Sequence, residues 1–246
     1  MKILAIESSG MVASVAVLED ERMLAEYTID HKKTHSQTLV PMLDEIKNMI
    51  ELDLSEIDAI AVSAGPGSFT GLRIGSATAK GLGLALKKPI ISVPTIEAMA
   101  YNLCESEKLI CPIMDARRGQ VYTGIYGYQE EIRKTYLEQC LLMMEDLAEK
   151  INKIGQSVIF LGDGVPVFRE KIAELIKVPY SFAPAHKNRQ RAGALGTLAM
   201  QYYIEENGSL GGGHVQTAEE HRPDYLRPSQ AERELEEKQR LEKSVQ

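Results

Sequence analysis

The residues of this sequence that could do chemistry come in incomplete sets. His31 and His35 are four apart, a spacing that could hold a cation on one helix face. Lys32 and Lys33 lie between them, however, and the helix they would need starts only near Thr34. A closed metal site also needs carboxylate or thiolate ligands and acceptors behind them. His186, His214 and His221 fall in loop-like stretches without ligand spacing, so no metal site is expected. No His-Glu-x-x-His motif is present, which leaves a zinc protease of that class unsupported. No Ser lies in a Gly-x-Ser-x-Gly elbow, and Cys104, Cys111 and Cys140 have no local His to activate them. No catalytic residue is assigned.

What remains is built for anions or for close packing. Glu7 ends an apolar run and precedes the turn Ser8-Ser9-Gly10; Asp115 does the same before Ala116-Arg117-Arg118-Gly119. The stretch Gly65 to Gly71 (GPGSFTG) leads into a helix, where backbone N–H groups can cradle a phosphate. A Walker loop would close on Gly-Lys-Ser/Thr, and this one continues Gly71-Leu72-Arg73. The helix that follows carries Gly71, Gly75, Ala79 and Gly83 at every fourth position. Each glycine costs about 1 kcal/mol of helix propensity against Ala, so such a stripe implies a close neighbour. That neighbour is either the rest of the domain or a partner chain.

These residues need elements to hold them. Lys2 to Glu7, Val12 to Leu18 and Met23 to Ile29 read as strands, the first a continuous buried run. A helix then has Thr34 and Gln37 at capping-box spacing, with Leu39, Met42, Leu43, Ile46 and Ile50 on one face. A strand over Asp58 to Ser63, the glycine-striped helix from about Leu72 to Leu86 and a strand at Ile90 to Val93 follow, with a further helix over Thr95 to Leu103. From Lys108 the order begins again: strands at Leu109 to Met114, Gln120 to Tyr126 and Ile132 to Leu137, then helix, strand Ser157 to Leu161, turn Gly162-Asp163-Gly164 and helix Val167 to Ile176. The fold class is therefore α/β with two duplicated lobes. Residues 1–104 form the first, completed by an alanine-rich helix at about 188–206; residues 105–187 form the second. Residues 207–246 form an extension whose glycines at 208–213 read as a flexible linker and whose tail from Ser229 is almost devoid of apolar residues.

Composition agrees with an ordinary folded protein. The 246 residues are 44% hydrophobic, enough for a core. With 28 Lys+Arg against 35 Asp+Glu the formal charge is −7, which argues against gripping nucleic acid by bulk charge. Three cysteines are too few for a disulfide scaffold, and Glu7 interrupts what would be the apolar part of a signal peptide. The expected location is cytoplasmic, without a membrane span.

Together the motifs resemble the TsaB family, the bacterial partner proteins of the tRNA threonylcarbamoyladenosine pathway, formerly labelled glycoprotease-like. The stretches that carry the resemblance are Ile3 to Ile6 with Ser8-Ser9, Thr34-His35-Ser36-Gln37 through Leu39 and Pro41, and above all Gly65 to Gly75 (GPGSFTGLRIG) with Lys80-Gly81-Leu82. Asp115-Ala116-Arg117, Val121-Tyr122, Gly162-Asp163-Gly164 and Pro223-Asp224-Tyr225-Leu226-Arg227 complete it, over about residues 1–228. The resemblance implies a fold like the actin, sugar-kinase and Hsp70 ATPases, with mixed sheets flanked by helices. It places the turn Glu7, Ser8, Ser9 and Gly10 where nucleotide phosphate would lie, with Glu7 in place of the usual Asp. The related catalytic subunit, TsaD, carries a His-x-x-x-His metal site after the strand matching Ile90 to Val93; Thr95 and Met99 stand at those positions.

The implied function is a non-catalytic scaffold that binds and activates a TsaD-like subunit, which transfers threonylcarbamoyl to adenosine of tRNA. The docking face is expected to comprise His35, Leu39 and Leu43 with Gly71, Arg73, Gly75, Ala79 and Gly83. A TsaE-like ATPase is a further partner, a homodimer the expected state alone, and tRNA is met mainly through the complex. No cofactor is expected, nucleotide entering only with the partner. The alternative is an ATP-dependent kinase or ATPase of the same fold that uses Glu7 or Asp115.

Overall fold

In the computed structural model, which describes residues 1–129, 132–211 and 213–226, the chain folds into two lobes, each built on one sheet. The first lobe runs β1 (Lys2–Glu7), β2 (Val12–Glu19), β3 (Arg22–Asp30), α1 (His35–Met49), β4 (Ala59–Gly65), α2 (Phe69–Leu86), β5 (Ile90–Pro94) and α3 (Thr95–Tyr101). The second runs β6 (Leu109–Asp115), β7 (Gln120–Gln129), β8 (Ile132–Met143), α4 (Met144–Ile154), β9 (Val158–Leu161), α5 (Gly164–Leu175) and β10 (Tyr180–Phe182). The chain then returns to the first lobe with α6 (Ala192–Glu205) and β11 (Val215–Gln216).

The duplication is topological as well as sequential. The first sheet is ordered β11-β5-β4-β1-β2-β3 and the second β10-β9-β6-β7-β8. In each lobe the leading strand is antiparallel to the hairpin partner that follows it and parallel to the strand after the first helix.

Strand alternation explains why both faces of the first sheet are covered. Leu4, Ile6, Val15, Ile60 and Val62 point to α1 and α2, packing on Leu39, Met42, Leu43, Ile46 and Ala79. Ile3, Ala5, Ala16, Leu18 and Ala61 point the other way, onto α6. Glycine and alanine dominate α6 because it lies close: a Cβ on Gly196 would sit 2.3 Å from Leu18 Cδ1. The second sheet packs α4 and α5 on its outer face. Its inner face meets α3, where Ile96, Met99 and Ala100 bury against Ile110, Met114 and Tyr126. Helix α3 is thus the wedge between the lobes.

Several expectations need correction. Thr34 is the N-cap of α1, but its side chain makes no capping bond; Gln37 N donates to the Thr34 carbonyl instead (2.9 Å). Helix α2 starts three residues before Leu72, with Ser68 Oγ accepting from Gly71 N at 3.3 Å. Residues 188–191 precede α6 rather than belonging to it. The glycine-rich 208–213 stretch leads into β11, which pairs with β5. Glu206 grips that return by accepting from His214 N (2.8 Å) and Val215 N (3.0 Å). Among the described residues no helix is long and apolar enough to cross a membrane. Arg227 and the charged tail from Ser229 lie outside the described residues.

Candidate functional site

The turn after β1 is closed by its own chain. Ser9 N donates to Glu7 Oε1 at 2.6 Å, so the buried carboxylate takes a backbone donor of the turn that an external anion would use. Burial pushes the Glu7 carboxyl above the usual range, and the hydrogen bond from Ser9 N pulls partly back. Several other groups of the turn are engaged too, although Ser9 Oγ is buried without a partner. Ser8 Oγ donates to the Gly71 carbonyl (2.9 Å), Ser68 N donates to the Ser9 carbonyl (2.6 Å), and His35 Nε2 is 2.9 Å from the Gly10 carbonyl. On the side of the second lobe Gln190 covers the turn. A Cβ on Gly10 would lie 2.7 Å from Gln190 Nε2, and Gln190 is buried against Met114.

The glycine stripe serves this closure. A Cβ at Gly67 would lie 2.3 Å from the Ser9 carbonyl, at Gly71 2.1 Å from the Ser8 carbonyl, and at Gly75 2.3 Å from Ser8 Oγ. Gly83 faces Ala218 Cβ at 3.2 Å, and Ala79 is fully buried in the core. The close neighbour that the spacing demanded is therefore this chain's own turn and C-terminal segment. Leu39 and Leu43 are likewise buried under α1, and His35 is turned inward to Gly10. Of the eight residues expected to dock a partner, Arg73 alone is fully exposed.

The outer faces of the same helices are open. On α2 the exposed residues include Thr70, Arg73, Ala77 and Gly81, and a Cβ at Gly81 would meet nothing within 4 Å. On α1 they include Val40, 56% exposed, and Pro41. The stripe read from the sequence is buried within the chain, whereas Gly81 is offset from that four-residue ladder and faces outward.

The sequence motif Pro223-Asp224-Tyr225 packs onto the GPGSFTG loop, a partnership that separation in sequence hides. Asp224 N donates to the Ala64 carbonyl at 2.6 Å, and Gly65, with φ 120°, passes so close that a Cβ would lie 2.2 Å from the Asp224 carbonyl. The Tyr225 ring lies 4.9 Å from Phe69, whose face carries the Arg73 guanidinium at 3.9 Å. His221, just before this strap, is buried with neither ring nitrogen partnered; burial pushes its pKa down to about 4, with Lys80 and Arg222 adding repulsion.

The second turn is less sealed. Asp115 Oδ1 accepts from Arg117 N (2.8 Å), and Arg117, Arg118 and Gly119 all have positive φ (66°, 56° and 76°). Asp163, at the start of α5, has a buried oxygen without a partner; burial raises its carboxyl above the usual range. The basic residues nearby are held by acids of this chain: Arg117 by Asp115, Lys187 by Glu105, Arg189 by Asp30 and Arg191 by Glu26.

Where metal-binding histidines would stand, Thr95 and Met99 are buried in the lobe interface. Glu97 between them forms an ion pair with Arg133 and accepts from Tyr202 Oη at 2.5 Å. His31 is exposed and precedes α1, so it does not share a helix face with His35. Among the described residues no group of three or more His, Cys, Asp or Glu gathers as a metal centre would need.

Two lobes of the same topology, each a mixed sheet flanked by helices, define a duplicated α/β protein. The comparisons with known proteins fit that frame. The family model described as tRNA N6-adenosine threonylcarbamoyltransferase matches residues 22–235. The TsaB tRNA threonylcarbamoyladenosine biosynthesis protein of Bacillus subtilis is 32% identical over 94% of this chain and 96% of its own length. That of Escherichia coli is 32% identical over 67% of this chain and 72% of its own length. A Pseudomonas aeruginosa crystal structure described as similar to peptidase YeaZ superposes with a TM-score of 0.77 at 27% identity, covering 92% of this chain and 99% of that one. The chain belongs to the TsaB family.

Proposed function

We propose that this chain is a non-catalytic subunit in threonylcarbamoyl transfer to adenosine of tRNA, and that it activates a TsaD-like catalytic subunit by docking onto it. Membership of the TsaB family supports the pathway. The observation that carries the role is the Glu7 turn: its carboxylate takes the Ser9 N donor, and α2 and Gln190 pack closely against the turn. Thr95 and Met99 at the histidine positions point the same way, since neither replaces an imidazole on a borderline cation. No cofactor is assigned to the isolated chain, nucleotide entering with the partner.

The docking face is revised to the outer side of α1 and α2: Val40 and Pro41 with Arg73, Ala77 and Gly81. Small residues there let another helix approach closely without disturbing the stripe within. The same face can close a homodimer when the partner is absent, and a TsaE-like ATPase joins the assembled complex. The setting is the cytoplasm, where tRNA is met mainly through the catalytic subunit.

Co-purification of Gly81→Arg with the catalytic subunit tests this. The expected result is a folded monomer that no longer co-elutes or supports transfer. Normal co-elution would defeat the docking assignment. The rival reading, an ATPase, draws on Asp115 and the unpartnered oxygen of Asp163. Calorimetry of the isolated chain with ATP and Mg²⁺ separates the two, tight binding with turnover favouring the rival.

A further inference from the structure

We propose that the cavity at the far end of α2 is a binding site for a small amphipathic anion, an aliphatic chain ending in one carboxylate or phosphate. The cavity measures about 450 Å³, within the range of small-molecule sites. The Ser8–Gly10 turn packs on α2 at Gly71 and Gly75, and the cavity begins at Gly83, eight residues or roughly 12 Å further along the helix. The site is thus separate from the lobe cleft.

Its walls are held in place. Gly83 lets Ala218 approach to form one side, where a larger residue would meet Ala218 Cβ and the Lys88 carbonyl, both at 3.2 Å. The opposite wall carries Leu210, on the loop that Glu206 anchors through His214 and Val215. Leu84 and Leu210 are 52% and 57% exposed, an apolar pair facing one opening.

Charge selects the ligand's head. Lys87 closes α2 with φ 56°, and Lys88 follows it at the cavity. The lysine ion pairs among the described residues use Lys2, Lys171 and Lys187, so both rim lysines keep their donors for a ligand. Glu219 also lines the opening and sets one carboxylate against the two lysines, while Glu220 is tied to Thr217. The rim is therefore basic on a molecule of net charge −7. Lysines at a helix C-terminus favour the helix dipole wherever they stand; that effect requires neither a cavity nor two exposed leucines beside it. Only an apolar body with an anionic head uses all of these features together.

The test is a titration of the full chain, with ¹³C-labelled methyl groups, by decanoate, decyl phosphate and decanol. The expected result is saturable shifts confined to Leu84, Leu210 and Ala218 for at least one anion, with decanol much weaker. The stronger anion identifies the head. Lys87→Glu/Lys88→Glu should weaken binding by about tenfold or more, as loss of charge-assisted hydrogen bonds implies, with the protein still folded and its melting temperature only slightly lowered by the reversed charges at the helix end. Leu210→Asp, on an exposed loop, gives the same loss through the apolar wall. Shifts scattered over the surface, equal binding of decanol, indifference to both variants, or no saturation within the ligands' solubility would each overturn the proposal.

Discussion

Glu7 is a carboxylate held by its own turn. It is buried, accepts from Ser9 N, and lies near Ser63, whose Oγ is buried with no partner. Because burial raises its folded pKa above the unfolded value, the charged form costs stability as pH rises through that interval, and the cost persists at neutral pH. Glu7→Gln keeps the acceptor for Ser9 N, removes the charge and offers Ser63 Oγ a donor. Its melting temperature should equal or exceed wild type at pH 7.5, with the gap shrinking toward pH 4.5; a drop of several degrees at pH 7.5 would sink this account. Glu206 behaves oppositely. Burial raises its carboxyl, but amide donors from His214 and Val215 and the His214 ring outweigh that and depress it. Its contribution is present above the unfolded carboxylate pKa and is lost as pH falls through the lower folded one. Glu206→Ala should cost about 1 kcal/mol and speed hydrogen exchange at the Val215 amide before the rest of β5 and β11. Unchanged protection there would show that the loop has another anchor.

At the scale of elements, α2 has two small-residue faces with different duties. Gly75 abuts Ser8 Oγ, whereas Gly81 faces open space. Gly75→Leu should therefore unfold or severely destabilise the isolated chain, by at least the ~1–3 kcal/mol of ordinary overpacking. Gly81→Ala should stabilise it by up to about 1 kcal/mol, since only helix propensity changes. Denaturant melts of the two variants decide this, and equal effects would refute the division. The division also marks the limit of what the sequence discloses. Period four along α2 announces a close contact, but not whether Ser8, 63 residues from Gly71, or another chain makes it. Buried runs such as β1 and β4 are legible because hydrophobic continuity is local. β10 and β11 span three and two residues, too short for any period, and β11 depends on a carboxylate nine residues from Val215. The Thr34 and Gln37 spacing matches a capping box, yet Gln37 N donates to the Thr34 carbonyl and the side-chain cap does not form.

Over the whole molecule, the duplicated lobes are joined through α3. α3 buries Ile96, Met99 and Ala100 against the second sheet, and Glu97 reaches Arg133 on β8 and Tyr202 on α6. The ion pair spans the two lobes, so its loss should be felt as lobe mobility as well as lower stability. Glu97 is 8% exposed and Arg133 35%, which places the pair between the surface and the fully buried case. Arg133→Ala leaves the Glu97 carboxylate buried without its guanidinium. The expected cost is about 2–3 kcal/mol, less than for a fully enclosed pair because water reaches Arg133. Arg133→Met combined with Glu97→Gln removes the orphaned charge and keeps an acceptor for Tyr202 Oη, so it should recover most of that loss. Chemical denaturation of Arg133→Met, Glu97→Gln and the double variant gives the coupling, and small-angle scattering reads the lobe angle. Strict additivity of the single changes, with a scattering profile unaltered in Arg133→Ala, would mean that α3 packing alone holds the lobes and the ion pair is incidental.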